Sequence, residues 1–262
     1  MGRVFWHIYG PFSIQNFGMA IVLGLVVFSY CFLHDSRRKS IISVDNFFNV
    51  LFYGIVLAIV GGRLLALAAD WRNMSSIFDI LAFWQGGFSI LGSVIAIIAV
   101  LPFYLRALKI QILPFLDLAA LYAPILQSIS RLGCLMAGCC AGQPCFLPWA
   151  ITYTDRQSFA PLNQALHPTQ IYSALLLFSL FLILYYIGQK KAKNSGQLFC
   201  FYLVGIGLER FLVDFFRIDR EFTSVSLVSY LSIHQWIALF LIAVALLFYR
   251  GLIHTNGRYK FS

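Results

Sequence analysis

Ser130-Arg131-Leu132-Gly133-Cys134-Leu135-Met136-Ala137-Gly138-Cys139-Cys140-Ala141-Gly142-Gln143-Pro144-Cys145 follows a long apolar run that begins near Ile112. The stretch holds one arginine, three glycines and four of the chain's six cysteines. An arginine at the mouth of an apolar helix is expensive unless it has a partner or a substrate. Glycines let the backbone bend or let a ligand come close. These residues describe a membrane-embedded framework that presents a polar site.

Composition points the same way. The 262 residues are 60% hydrophobic and 11% charged, with mean hydropathy +0.82. Average soluble chains are about 45–50% apolar and about 25% charged. A soluble core of this size has no room for so many Phe, Leu and Ile side chains. The expectation is an all-α polytopic membrane protein, residues 1–262 forming a single domain. The net charge of +9 raises nucleic acid as a partner. Basic residues gathered in short cytoplasmic loops explain it better. Membrane lipids are then the natural polyanion, and no nucleic acid is expected.

From the quoted stretch the chain reads outward in apolar spans. The start, with Trp6, Phe12 and Phe17, reads as an interfacial segment. A first helix runs from Met19 to Leu33, followed by the basic cluster Arg37-Arg38-Lys39. A cleaved signal peptide carries its charges before the apolar stretch, so this helix is expected to be retained. Further helices are expected over Phe47–Ala69, from Gly86-Gly87 to Tyr104, over Ile112–Ile129, from His167-Pro168-Thr169 to Ile187, over Gln197–Phe216 and over Gln235–Tyr249. Proline suits the start at His167-Pro168, because the first turn of a helix leaves its N–H groups unpaired. Between the fourth and fifth helices lies an outer-face segment, Cys134 to Ala165, in which Trp149–Thr154 alternates like a short strand. Spans of roughly 17–25 residues fit a bilayer, so about seven are expected. Basic ends place the N-terminus outside and the C-terminus in the cytoplasm.

This topology gathers the unusual residues at one face: Arg63, Gly86, Gly87, Arg131, His167 and Gln170. Helix six adds Arg210, Asp214 and Arg217, which share a helical face, so Asp214 can pair with either arginine. Arg63 and Arg217 can also simply snorkel to head groups. Arg210 sits about 10 Å deeper than Arg217 and needs a partner or a polar cavity. A lone histidine such as His167 is more often interfacial or capping, and its place beside Pro168 at a helix start does not discriminate.

An ordered set of motifs carries a resemblance. Ile8-Tyr9-Gly10-Pro11-Phe12-Ser13-Ile14, Gly61-Gly62-Arg63-Leu64, Trp84-Gln85-Gly86-Gly87-Phe88-Ser89 and Ser130-Arg131-Leu132-Gly133 come first. Pro148-Trp149-Ala150, His167-Pro168-Thr169-Gln170-Ile171-Tyr172, Arg210–Arg217 and Ser232-Ile233-His234-Gln235-Trp236 follow. Together they resemble the prolipoprotein diacylglyceryl transferase family over nearly the whole length. The resemblance implies transfer of a diacylglyceryl group from phosphatidylglycerol to the lipobox cysteine thiol of signal-peptide-bearing prolipoproteins. A thioether forms and glycerol phosphate leaves. It implies a bacterial inner-membrane enzyme without cofactor or metal. Arg131 and Arg210 are implied as catalytic, and with Leu91 in place of the family's histidine the remaining candidate for the catalytic base is His167, because His34 and His254 fall on the cytoplasmic side and His7 precedes the first helix. Arg131, Gly86, Gly87, Gly133, Gln170, Asp214, Arg217 and Arg63 are implied as substrate-binding. The sequence departs from the family where Leu91 replaces a histidine, and where Cys134, Ala137 and Cys139 replace two asparagines and a glutamate.

Those cysteines open other readings. Cys134, Cys139, Cys140 and Cys145 lie on the outer side, where oxidation is permitted. Structural disulfides come first, reactive thiols second and a metal last, because the spacing is not a usual zinc pattern. Cys31 and Cys200 read as inert core residues. Two alternatives follow: a lipid-handling paralogue with another acceptor, or a thiol-redox or non-enzymatic membrane protein using the cluster.

Overall fold

The computed structural model describes residues 4–9, 12–69, 89–190, 194–220 and 230–254. Among them are seven long helices: α1 Asn16–His34, α3 Val44–Ala69, α4 Ile90–Ala107, α5 Ile112–Ala137, α6 Thr169–Lys190, α7 Gln197–Asp214 and α8 Ile233–His254. A single turn, α2 Arg38–Ile41, joins α1 to α3. Five of the helices are long and apolar enough to cross a membrane: Asn16–His34, Val44–Ala69, Ile112–Ala137, Thr169–Gly188 and Ile233–Leu252. The chain is therefore a polytopic membrane protein.

It is not wholly helical. The segment read as interfacial forms an antiparallel pair, β1 Val4–Tyr9 with β2 Phe12–Gln15. The alternating stretch near Trp149 supplies β3 Ile151–Thr152, paired with β4 Ala165–Leu166.

The expected fourth helix is longer than its apolar run. It continues past Ile129 to Ala137, so Arg131, Gly133 and Cys134 lie inside α5. Leu, Met, Ala and Arg all favour helix, and one glycine does not break it. The stop is Gly138, at φ +76°, the left-handed position that glycine fills most cheaply after a helix.

The chain divides into two compact units, Met1–His34 with Leu116–Ser262, and Asp35–Phe115. In the second unit α3 packs along α4. Their backbones approach closely where Gly61 faces Gly92 and Ala96, a small-residue crossing suited to helices in lipid. Ser93 Oγ donates to Ala58 O at 2.6 Å across the same crossing.

In the first unit Gly133 of α5 meets Phe17 and Ala20 of α1. Gln127 Nε2 donates to Tyr202 Oη at 2.9 Å, and Ser128 Oγ to Ala174 O at 2.8 Å. These polar ties hold α5 against α7 and α6. The fully buried Asp117 accepts from the N–H groups of Gly196 at 2.5 Å and Phe199 at 2.8 Å. It thereby caps α7, whose own cap residue Gly196 has no side chain to offer. A carboxylate at a helix N-terminus is favoured by the helix dipole. Asp117→Ala strands these buried donors, so we expect destabilisation of at least about 2 kcal/mol, read from unfolding of the purified protein. An unchanged unfolding midpoint would contradict the cap.

Candidate active site at the cysteine turn

Beyond Gly138 the chain turns through Cys139 and Cys140, the latter at φ 59°. A non-glycine residue there is strained and must be held by its surroundings. The start of α6 does this: Thr169 Oγ1 donates to Cys140 O at 2.6 Å and Gln170 Nε2 to Cys139 O at 2.8 Å. Both side chains are buried. The last carbonyls of α5 are also paired, Leu135 O with Tyr153 Oη at 3.0 Å and Ala137 O with Phe159 N–H at 3.1 Å. Burial pushes the Tyr153 hydroxyl up to about 12, so it remains a donor.

The chain then runs against α7. Gly142 N–H donates to His167 O at 3.2 Å, His167 N–H to Gln143 O at 3.0 Å, Gln143 N–H to Phe216 O at 2.8 Å and Ile218 N–H to Ala141 O at 3.2 Å. Gly142 is required here, because a Cβ would stand 2.5 Å from both His167 Cβ and His167 O. Three segments are thus laced together: Gly138–Cys145, His167–Gln170 and Asp214–Ile218.

The predicted arginines meet at this lacing. Arg131 Nη1 donates to Cys140 Sγ at 4.0 Å. The charges of Arg217, Asp214, Arg131 and Cys140 all act on Arg210, and those of Arg217 and Arg131 act on Cys140. A concentration of guanidinium groups around one turn suits an anion, above all one that accepts paired N–H donors.

Asp214 does not pair as the helical spacing suggests. α7 ends at Asp214, which takes Arg217 off the helical face. Arg217 turns instead to Asp219, at 2.7 Å and 2.5 Å. Burial opposes the charge on Arg217, but Asp219 and Cys140 outweigh it and raise its value. Arg217 in turn holds the Asp219 carboxyl below its ordinary 3.8. That depressed value contributes stability above the ordinary one, lost as pH falls through the folded one. Asp214 is buried and accepts from Ser232 Oγ, with Arg220 at 3.6 Å and His234 at 3.9 Å. It anchors the join of α7 to α8.

His167 stands beside a cavity of about 510 Å³ lined by Leu147, Trp149, Tyr172, Leu176, Leu212 and Phe216, among others. Its Nδ1 lies 3.2 Å from Tyr172 Oη, which accepts from Trp149 Nε1 at 2.9 Å. Nε2 is left as the ring nitrogen able to act on a ligand.

No staple closes the cysteine loop: all six cysteines are free thiols. The Sγ atoms of Cys134, Cys139 and Cys140 lie within 4.8 Å of one another, while Cys145 is buried apart from that group. Hydrogen bonds from Cys134 and Cys139, and then the charges of Arg217 and Arg131, hold the Cys140 thiol far below its ordinary value. The shared hydrogen bonds push Cys139 up.

Other expected site residues lie elsewhere. Gly133 faces α1 rather than a ligand cavity, since its missing side chain is what lets the two helices touch. Arg63 is buried on α3 in the second unit. Gly86 and Gly87 lie outside the described residues. Leu91 is 62% exposed near the start of α4. Sequence reasoning passed over Thr169, Tyr153 and Asp219, whose partners are distant in sequence or lie just beyond the expected helix end. The one available signal was the polar pair Thr169-Gln170 opening an otherwise apolar helix.

A family profile described as prolipoprotein diacylglyceryl transferase matches residues 3–250. The phosphatidylglycerol–prolipoprotein diacylglyceryl transferase of Clostridium tetani is 34% identical over 247 residues, covering 94% of this chain and 96% of that protein. The enzyme numbered 2 in Clostridium perfringens is 31% identical, covering 95% and 94%. That of Finegoldia magna is 32% identical, covering 88% and 90%. With its arginines drawn to one turn among membrane-length helices, the chain belongs to the prolipoprotein diacylglyceryl transferase family.

Proposed function

We propose that the chain transfers a diacylglyceryl group from phosphatidylglycerol to the cysteine thiol of signal-peptide-bearing prolipoproteins, at the bacterial inner membrane. The observation that carries this is the meeting of Arg131, Arg210 and Arg217 at one turn, laced to the residue that borders the apolar cavity. Arg131 and Arg210 hold the lipid phosphodiester and stabilise charge on the departing phosphate. The apolar cavity receives part of the lipid, its volume falling in the roughly 300–1,000 Å³ of ligand sites. Gln170 is 1% exposed, and its Oε1 has no hydrogen-bond partner among the described residues. It can accept from a glycerol hydroxyl. His167 Nε2 takes the proton of the acceptor thiol. The thiolate attacks the glyceryl carbon, a C–S bond forms, and the C–O bond breaks with its electron pair passing to glycerol phosphate.

The test is direct. Protein in phosphatidylglycerol nanodiscs receives a lipobox peptide, and peptide mass and glycerol phosphate are measured together. One glycerol phosphate should appear per thioether, and none with a peptide whose lipobox cysteine is replaced by serine. Phosphatidylglycerol left intact, with the peptide unmodified, would overturn the assignment.

Seven spans with the N-terminus outside place the cysteine turn at the outer face, where an exported cysteine emerges. The support is the basic excess at the alternate ends of the helices. A cysteine introduced at Lys191 should react with impermeant reagent only after the cell is opened. Labelling of intact cells would reverse the orientation.

A further inference from the structure

Cys134, Cys139 and Cys140 lie at the turn that Arg131, Thr169 and Gln170 hold, yet the transfer reaction above gives their thiols no task. Their spacing in sequence does not resemble a metal motif, but the fold supplies what the spacing lacks. Cys134 sits on the last turn of α5, and the reversal at Gly138 brings Cys139 and Cys140 back to it. The three Sγ atoms lie within 4.8 Å of one another. Three thiolates around one tetrahedral zinc ion, each about 2.3 Å from it, would be about 3.8 Å apart. The cluster needs to close by no more than about 1 Å, which side-chain rotation supplies. Thr169 and Gln170 already hold the turn's backbone.

Charge favours the same outcome. Three thiolates and a divalent cation carry a net charge of about −1. Arg131, 4.0 Å from Cys140 Sγ, and Arg217, whose charge also reaches it, offset that charge. Cys134 is buried, while Cys139 and Cys140 are only partly so, so the group is open on one side. Three protein ligands with one open position is the arrangement of a reactive rather than a structural zinc site.

We propose that Cys134, Cys139 and Cys140 form a three-thiolate site for a zinc-class divalent ion, whose fourth position takes the sulfur of the acceptor cysteine. This rests on the transfer reaction proposed above and deepens it. The acceptor S–H gives its proton to His167 Nε2, and its sulfur occupies the open position. A thiol bound to such an ion is deprotonated outright. Its electron pair then forms the C–S bond while the C–O bond breaks toward phosphate, and nothing is oxidised or reduced. The product thioether, a neutral and poorer ligand, leaves.

The experiment uses the whole reduced protein in detergent, stripped of metal and titrated with Cd²⁺ alone. A sulfur-to-metal absorption band in the near ultraviolet should saturate at one ion per chain. Cys134→Ser, Cys139→Ser and Cys140→Ser should each lose most of the band, while Cys145→Ser and Cys200→Ser keep it. Size exclusion and melting of the metal-free variants show that they are folded, and the wild-type stoichiometry needs no variant. A lipobox peptide should then strengthen the band, and its serine counterpart should not. A missing band, or one that survives all three substitutions, overturns the site. A band indifferent to the cysteine peptide overturns the acceptor role. A protein that transfers the lipid group but gives no band refutes the ion and leaves the proposed function standing.

Discussion

Arg210→Ala should lower transfer from phosphatidylglycerol by about 10²–10³-fold, the usual loss when one donor to a developing anion is removed. Its position makes the effect specific. Arg210 lies on α7, half-buried, with Arg131, Arg217, Asp214 and Cys140 acting on it. Asp214 does not neutralise it by contact, because its carboxylate is held by Ser232, Arg220 and His234. Among the described residues Arg210 therefore makes no ion pair of its own, although the charges around the turn act on it. The alanine variant should still insert, since removing a charge from an apolar helix lowers the cost of insertion. Near-normal turnover in Arg210→Ala, at normal membrane levels, would remove this residue from the reaction.

His167→Asn should lower turnover by about 10²–10⁴-fold, the range lost with a placed proton acceptor. Asparagine fits the space and leaves the backbone hydrogen bonds to Gly142 and Gln143 in place. Tyr172→Phe removes the hydroxyl 3.2 Å from Nδ1 and should cost less, because it loosens the ring without removing it. Both effects should fall on kcat with KM little changed, since a proton acceptor acts in the reaction step and not in binding the lipid. A rise in KM alone would make His167 a lipid contact.

Most of the helical framework is legible in the sequence, because hydropathy and basic ends report directly on bilayer crossing. Helix ends are less so. Ile129 looks like a boundary because the apolar run stops there, yet Arg131 and Cys134 are still helical, and only Gly138 changes the backbone. The site depends on such ends. Two further turns on α5, from Ile129 to Ala137, bring Cys134 near Cys139. An end two residues earlier on α7, at Asp214, lets Arg217 turn to Asp219. The hairpin Val4–Gln15 was hidden because aromatic residues at a membrane boundary look alike in strand and loop. The arginines themselves are conspicuous in sequence because charge within apolar helices is rare.

The central claim is that Arg131 and Arg210 act on one phosphodiester. The direct test is a double-mutant cycle on transfer, with Arg131→Lys, Arg210→Lys and the pair. Two side chains holding one group are coupled, and lysine keeps the charge while losing the paired donors. The predicted result is a double variant much less impaired than the product of the two single losses. Losses that simply multiply would place the two arginines on separate tasks and contradict the account.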